Sequence, residues 1–317
     1  VTGVQTCALP IFFDKTGTLT EGQPTVTAWL WAQYQEEDFK RILLATEMNS
    51  PDPLAAAITA ALREERITPA PLDGCGVLKG KGVKSLCNGT EYWVGSHKLL
   101  KDYRAYLSDV LGDMLVEYES EGNSIVYFGR EDELLAIIAV KDRLKATASG
   151  VVKELRGQGL DICMLTGDGE RTASAIAGKL GIIRYMSDAQ PEDKEAFIRE
   201  LRLQGKKVVM VGDGVNDAQA LAAADVSIAA GASAGDGLAD KAMIVMKSAD
   251  LQSLPRLFGL SRHTLRLMRR NFFRTMAFHL AGVLVAAGIL YPVYGILLTP
   301  ILAVTVIALS CIMPVKG

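Results

Sequence analysis

The apolar residues of this chain keep several rhythms in succession. Residues 11–13 are a short continuous apolar run ending on Asp14, the pattern of a buried strand. From residue 29 to 66 the spacing is helical, and EEDFKRILLATEM (36–48) and PLAAAITAALREE (53–65) predict two helices split between Asn49 and Pro53. Residues 74–94 are Gly-rich and β-like, with Asn88-Gly89 as a hairpin turn. A helix is predicted near 97–111. Strands at 124–130 (SIVYFGR) and 134–140 (LLAIIAV) follow around a turn at Glu131 and Asp132.

After Asp142 the rhythm changes. The helix ATASGVVKELRGQG leads to the strand LDICML, then the helix RTASAIAGKLG. The helix PEDKEAFIRELRLQG leads to the strand KKVVMV, and ALAAAD precedes the strand VSIAA. Strand and helix alternating at this spacing predict an α/β, doubly wound parallel sheet. The strand before Asp14 joins that sheet, so residues 12–25 and 140–253 form one domain and 26–139 an α+β insertion.

The tail differs again. Runs 275–291 and 295–313 are apolar and nearly free of charge, each close to the roughly 20 residues that span hydrocarbon. A buried core hairpin is the other reading of such runs. Arg262, Arg266, Arg269, Arg270 and Arg274 stand just before them, which favours two transmembrane helices in segment 254–317 with the basic flank in the cytoplasm. Two spans return the chain, so Lys316 is expected on the same side.

Composition narrows the class. Hydrophobic content of 49% and a mean hydropathy of +0.20 are high for a purely soluble chain of 317 residues, and the excess sits in the tail. A net charge of −2 offers no basic field for nucleic acid. Cys7, Cys75, Cys87, Cys163 and Cys311 are odd in number and include no C-x-x-C pair, which argues against a disulfide framework or a structural zinc site and fits a reducing cytosolic setting. The first residues, VTGVQTCALPI, lack the basic start and long apolar run of a signal peptide and begin without Met. Residues 1–11 are expected to be a non-native leader, and the chain a fragment.

In a doubly wound sheet the site lies at the carboxyl ends of the strands. Asp14 falls there, as do Thr166-Gly167-Asp168 and the turn Gly212-Asp213-Gly214-Val215-Asn216-Asp217, with Lys194 early in the intervening helix. Carboxylates with one lysine on a single edge suit Mg²⁺-assisted phosphoryl transfer, because Mg²⁺ takes hard oxygen ligands and a lysine offsets phosphoryl charge. Asp14 can act as a nucleophile and form an aspartyl-phosphate. Two residues on stands Thr16, where a second Asp could have served as general acid/base for hydrolysis. The phosphoenzyme is therefore expected to persist.

D-K-T-G-T-L-T, T-G-D and G-D-G-V-N-D, in this order, resemble the P-type ATPases, a branch of the haloacid dehalogenase superfamily. The resemblance implies that ATP phosphorylates Asp14, with Lys15 and Thr16 lining the phosphate site. It implies that Thr166, Gly167 and Lys194 hold the phosphoryl group beside Asp168. Asp14, the Thr16 main chain, Asp213 and Asp217 would make the Mg²⁺ site, with Asn216 supporting it, and Asp142 falls at a hinge aspartate. The insertion resembles the nucleotide-binding domain of the heavy-metal (type IB) branch: Glu47, Gly80 and Gly82 match, while position 52 is Asp where the family has a His that packs on adenine. Taken alone, Gly80 and Gly82 also read as a plain hairpin.

The tail resembles the last two spans of copper-exporting members. His279, Ser310 and Cys311 are then the candidate ligands of the transported ion, with copper(I) favoured and zinc, cadmium or another cation as alternatives. The resemblance covers residues 12–313 and implies a bacterial plasma-membrane pump, multi-pass, with cytoplasmic catalytic domains. On this reading the actuator domain and upstream spans of such a pump are expected to belong to the part of the parent protein that the fragment lacks. A soluble phosphatase of the same superfamily, and a truncated ATP-binding module, are the rival readings.

Overall fold

The computed structural model describes residues 10–32, 36–213, 217–230, 242–246 and 250–287, with Pro292 and Gly295 singly. Asn216, Ser310, Cys311, the leader up to residue 9 and nearly all of run 295–313 lie outside the described residues. One compact unit runs from Val1 to Leu251 and a second from Gln252 to Gly317.

In the first unit the chain lays down β1 (Pro10–Asp14) and then leaves that sheet. It makes β2 (Thr25–Trp31), α1 (Glu36–Glu47), α2 (Pro53–Glu64), β3 (Gly74–Leu78), β4 (Gly82–Cys87), β5 (Thr90–Gly95), α3 (His97–Asp102), α4 (Asp109–Ser120), β6 (Ser124–Arg130) and β7 (Glu133–Lys141). It returns through α5 (Ala148–Gly157), β8 (Asp161–Leu165), α6 (Glu170–Leu180), β9 (Arg184–Met186), α7 (Pro191–Leu203), β10 (Val209–Gly212), α8 (Ala218–Ala223), β11 (Val226–Ala229) and β12 (Ile244–Val245).

The returning strands build a sheet of order β12-β11-β10-β1-β8-β9, every pair parallel. β1 is buried along its whole length, as its unbroken apolar run requires of a strand covered on both faces. Phe12 points into a core with Cys163, Leu165, Met210, Ile198 of α7 and Leu221 of α8. Ile11 and Phe13, one residue to either side, point to the other face and are equally buried. Pro10 and Ile11 pair with Asp161 and Ile162, so the strand takes in two residues assigned to the leader.

The intervening segment builds an antiparallel sheet of order β2-β7-β6-β5-β4-β3. α1 and α2 cover one face through Phe39, Leu43, Ile58 and Leu62 against Phe128 and Ile138. On the other face Leu99 of α3 and Leu115 of α4 pack with Trp93, Tyr127 and Ile137.

Several elements depart from the sequence pattern. Residues 29–31, expected to begin a helical stretch, end strand β2, where Trp29 and Trp31 stack at 6.2 Å on one face because alternate residues share a side. The single helix expected near 97–111 is two. Arg104 sits at φ +53° after α3, and the Ser108 hydroxyl caps a new helix by accepting from Leu111 N–H at 3.4 Å. The short edge strands β9 and β12 left no periodic trace.

In the second unit, α9 (Ser253–Ala286) carries all five arginines and the start of the first apolar run. That run, 275–291, continues beyond Ala287, the last described residue of its helical stretch. Among the described residues no helix is long and apolar enough to cross a membrane.

Candidate active site

β1 lies between β8 and β10, so the turns after these three strands meet at one edge. β1 delivers Asp14, and the chain then turns sharply through Lys15–Leu19, with Gly17 at φ +71°. A Cβ on Gly17 would stand 3.3 Å from Asp213 Cβ, which places the two motif turns side by side. Thr16 is half-buried within this turn.

Lys194 reaches the edge from the first turn of α7. Pro191 opens that helix, and Gln190 and Asp193 form a reciprocal capping box that sets where it begins. The preceding stretch is laced to the turn after β8: Asp188 N–H donates to Asp168 O at 2.7 Å and Ala189 N–H to Thr166 O at 3.0 Å. Lys194 Nζ thereby donates to Asp14 Oδ1 at 2.5 Å and to Asp217 Oδ1 at 2.9 Å, and all three side chains are buried. Burial alone would lower the Lys194 ammonium, but the two carboxylates reverse that and hold it above its ordinary value. Burial, and then the charge of Asp14, push the Asp217 carboxyl up to about 7 in spite of Lys194. Gly212 is required beside it, since a Cβ there would lie 2.8 Å from Asp217 Oδ2.

Lys15 and Asp168 form a second cluster. Lys15 pairs with Asp168 and donates to Ser124 Oγ at 3.1 Å. Ser124 Oγ donates to Asp168 Oδ1 at 2.6 Å, and Thr166 Oγ1 to Asp168 Oδ2 at 3.0 Å. Burial opposes ionisation of Asp168, yet Lys15 and these hydroxyls outweigh it and hold the carboxyl below its usual range. Gly167 is the turn residue between the two. The single constellation expected from sequence thus resolves into two neighbouring ones, Lys194–Asp14–Asp217 and Lys15–Asp168–Thr166–Ser124. Ser124 was not legible in the sequence, because a serine opening a strand carries no motif.

Asp142 stands at the return from the antiparallel sheet, just after β7. Its carboxylate accepts from Thr20 Oγ1 at 2.5 Å and from Gly22 and Gln23 N–H at 3.1 and 3.2 Å, tying the outgoing and returning strands together.

The nucleotide candidates have structural duties of their own. Asp52 caps α2, accepting from Leu54 N–H at 2.8 Å, and its carboxylate feels the charges of Asp168 and Lys15. Glu47 ends α1 and is buried, and burial followed by the charge of Asp52 pushes its carboxyl up to about 8. A neutral acid there can donate a hydrogen bond at neutral pH. Gly82 sits at φ +147°, where a Cβ would meet Val94 O at 2.0 Å, so it is a close-approach glycine of the β4–β5 pair. Gly80 packs on Gln190 beside the capping box of α7.

The residues fit a hard cation that keeps much of its water. Among the described residues no group of three His, Cys, Asp or Glu forms a metal cage. Asp217 Oδ2 is nevertheless buried without a hydrogen-bond partner, an oxygen donor held ready next to Asp14 and Lys194. Mg²⁺ bound with a phosphorylated substrate needs only one or two carboxylates. His279, on α9, is exposed.

Known proteins resemble the chain throughout. A protein-family profile described as haloacid dehalogenase-like hydrolase matches residues 11–225. The copper-exporting P-type ATPase of Legionella pneumophila is 35% identical over 299 residues, covering 94% of this chain and 40% of the relative. A crystal structure of a zinc-transporting PIB-type ATPase in its E2.Pi state superposes with a TM-score of 0.59 at 31% identity, over 97% of this chain and 48% of that one. The catalytic domain of the CPx-ATPase CopB-B, described for its conformational changes upon nucleotide binding, superposes with a TM-score of 0.62 at 28% identity, over 79% of this chain and 88% of that one. The chain thus spans less than half the length of the complete pumps it matches. With its candidate site at the edge formed by β1, β8 and β10 and a family profile that matches residues 11–225, the chain belongs to the haloacid dehalogenase-like hydrolases, and its likeness to heavy-metal P-type ATPases extends over nearly its whole length.

Proposed function

We propose that Asp14 accepts the γ-phosphoryl group of ATP, as the phosphorylation step of an ATP-driven heavy-metal cation pump. A carboxylate oxygen of Asp14 attacks the γ-phosphorus, the bond to the bridging oxygen breaks, and ADP leaves with that electron pair. The observation that carries this reading is the buried Lys194 ammonium on Asp14 and Asp217, at the end of the central strand. Lys194 neutralises the nucleophile at rest and offsets charge on the phosphoryl oxygens as they arrive. Lys15, Thr166 and Gly167 line the phosphoryl site from the other side. Mg²⁺, held by Asp14, the Thr16 main chain, Asp213 and Asp217 with Asn216 in support, would supply further charge neutralisation. Thr16 offers no acid or base for hydrolysis, so the aspartyl-phosphate persists. Residues 26–139 bind the nucleotide, with Glu47 as a hydrogen-bond donor and the segment around Asp52, Gly80 and Gly82 nearby.

Transport belongs to the whole pump, of which this chain supplies the catalytic part. Copper(I) export is the favoured reading, supported by the Legionella relative. Zinc is the second, supported by the likeness to the zinc-transporting ATPase over 97% of this chain. Runs 275–291 and 295–313 are the proposed transmembrane helices, with His279, Ser310 and Cys311 toward the ion and the catalytic part in the cytoplasm of a bacterium. An actuator domain and upstream spans complete such a pump.

The test is transfer of label from γ-labelled ATP with Mg²⁺. The chain should take up acid-stable, hydroxylamine-labile label, and Asp14→Asn should take up none, because an amide is no nucleophile here. Undiminished label in Asp14→Asn would sink the assignment.

A further inference from the structure

The antiparallel sheet reaches the Lys15–Asp168 cluster with one buried hydroxyl, that of Ser124 at the start of β6. The backbone that carries it is held from two directions. Asn123 Nδ2 donates to Tyr118 O at 2.7 Å, and Asn123 Oδ1 accepts from Thr27 Oγ1 at 2.9 Å, both within the sheet and its covering helix. Asn123 O accepts from Thr172 Oγ1 of α6 at 2.7 Å, which belongs to the parallel-sheet layer. Ser124 is therefore pinned where the two sheets meet.

The hydroxyl has one proton and gives it to Asp168 Oδ1 at 2.6 Å, so its lone pairs are left for Lys15 Nζ at 3.1 Å. Lys15 is a flexible side chain with three donors. Asp168 and Ser124 together fix the direction of its ammonium, whereas Asp168 alone leaves that ammonium a wider range of positions. The ordering is decided by a residue 109 positions away in sequence, carried on the other sheet.

We infer that Ser124 is a positioning residue for phosphoryl transfer: its hydroxyl sets the Lys15 ammonium, and so ties the seating of the antiparallel sheet to the readiness of the phosphoryl site. The inference rests on the aspartyl-phosphate reading of Asp14. Losing one hydrogen bond to a charged group corresponds to roughly a tenfold to hundredfold change.

The experiment compares the full chain with Ser124→Ala and Ser124→Thr, using two phosphoryl donors, ATP and acetyl phosphate, the latter with no base or ribose. Equilibrium ATP binding is measured alongside. Ser124→Ala should slow labelling of Asp14 from both donors by about tenfold or more, with ATP affinity unchanged within about twofold. Ser124→Thr, which keeps the hydroxyl, should recover most of the rate. Wild-type rates in Ser124→Ala would overturn the inference. So would slowing from ATP alone with weakened ATP binding, which would make Ser124 a nucleotide-seating residue, and so would a Ser124→Thr chain as slow as Ser124→Ala. A wild-type chain that takes label from neither donor would overturn the Asp14 reading and this inference with it. A labelled wild type with an equally fast Ser124→Ala would overturn the inference alone.

Discussion

Replacing Lys194 by Met removes one cation from between two buried carboxylates while keeping most of the apolar stem. The ammonium stands 2.5 Å from Asp14 and 2.9 Å from Asp217. At an effective dielectric of about 20 each pair is worth roughly 6 kcal/mol of Coulomb attraction, most of it cancelled by the desolvation of the three groups. Removing one partner of such a buried set costs about 3–5 kcal/mol, because the remaining charges stay uncompensated. Asp217 can relieve this by taking a proton. Its carboxyl stands at about 7 even with Lys194 present and moves higher without it, against an ordinary value of 3.8. The native variant then binds a proton that the unfolded chain releases, so the variant gains stability as pH falls through this window, by up to about 1.4 kcal/mol per pH unit. The expected loss relative to wild type is about 3–5 kcal/mol at pH 8, shrinking by about 1 kcal/mol at pH 6, since wild-type Asp217 takes up its own proton around pH 7 and gains part of the same stabilisation. Adding Asp217→Asn should flatten that pH dependence. Urea unfolding followed by far-ultraviolet circular dichroism at pH 6, 7 and 8 measures all three chains. A Lys194→Met chain as stable as wild type at pH 8, or one whose deficit grows toward acid, would refute the electrostatic account.

Two further changes test the nucleotide side. Glu47 holds its proton up to about pH 8 when folded and releases it near 4.5 when unfolded, so its burial costs stability as pH rises between those values. Glu47→Gln should therefore match wild type near pH 5 and exceed it at pH 9 in urea midpoint; parallel pH curves for the two chains would refute the neutral state. Asp52→Ala should lower stability by about 1 kcal/mol through loss of the α2 cap while Asp52→Asn stays close to wild type, both read from urea midpoints. Equal stability of all three would remove the capping role.

The sequence by itself determined the parallel sheet and the edge where chemistry sits. A strand buried on both faces needs an unbroken apolar run, and residues 11–13, 162–165 and 208–211 are such runs, so the polar turns that follow them had to emerge together at the carboxyl edge. It also determined the Thr16 position, since two residues along a turn are covalently set. It left β2, the break between α3 and α4, and the short strands β9 and β12 unread. Sheet pairing and a left-handed Arg104, both settled by tertiary context, override local periodicity there. Only the tertiary structure decided who touches whom. Lys194 meets Asp14 across 180 residues, and Ser124 meets Asp168 across 44 from the other sheet. Asp52 and Gly82, read as nucleotide contacts, took on a helix cap and a close strand approach. Periodicity records only whether a side chain faces in or out. The partner that satisfies a buried charge is set by distances between remote segments, which exist only once both sheets have packed.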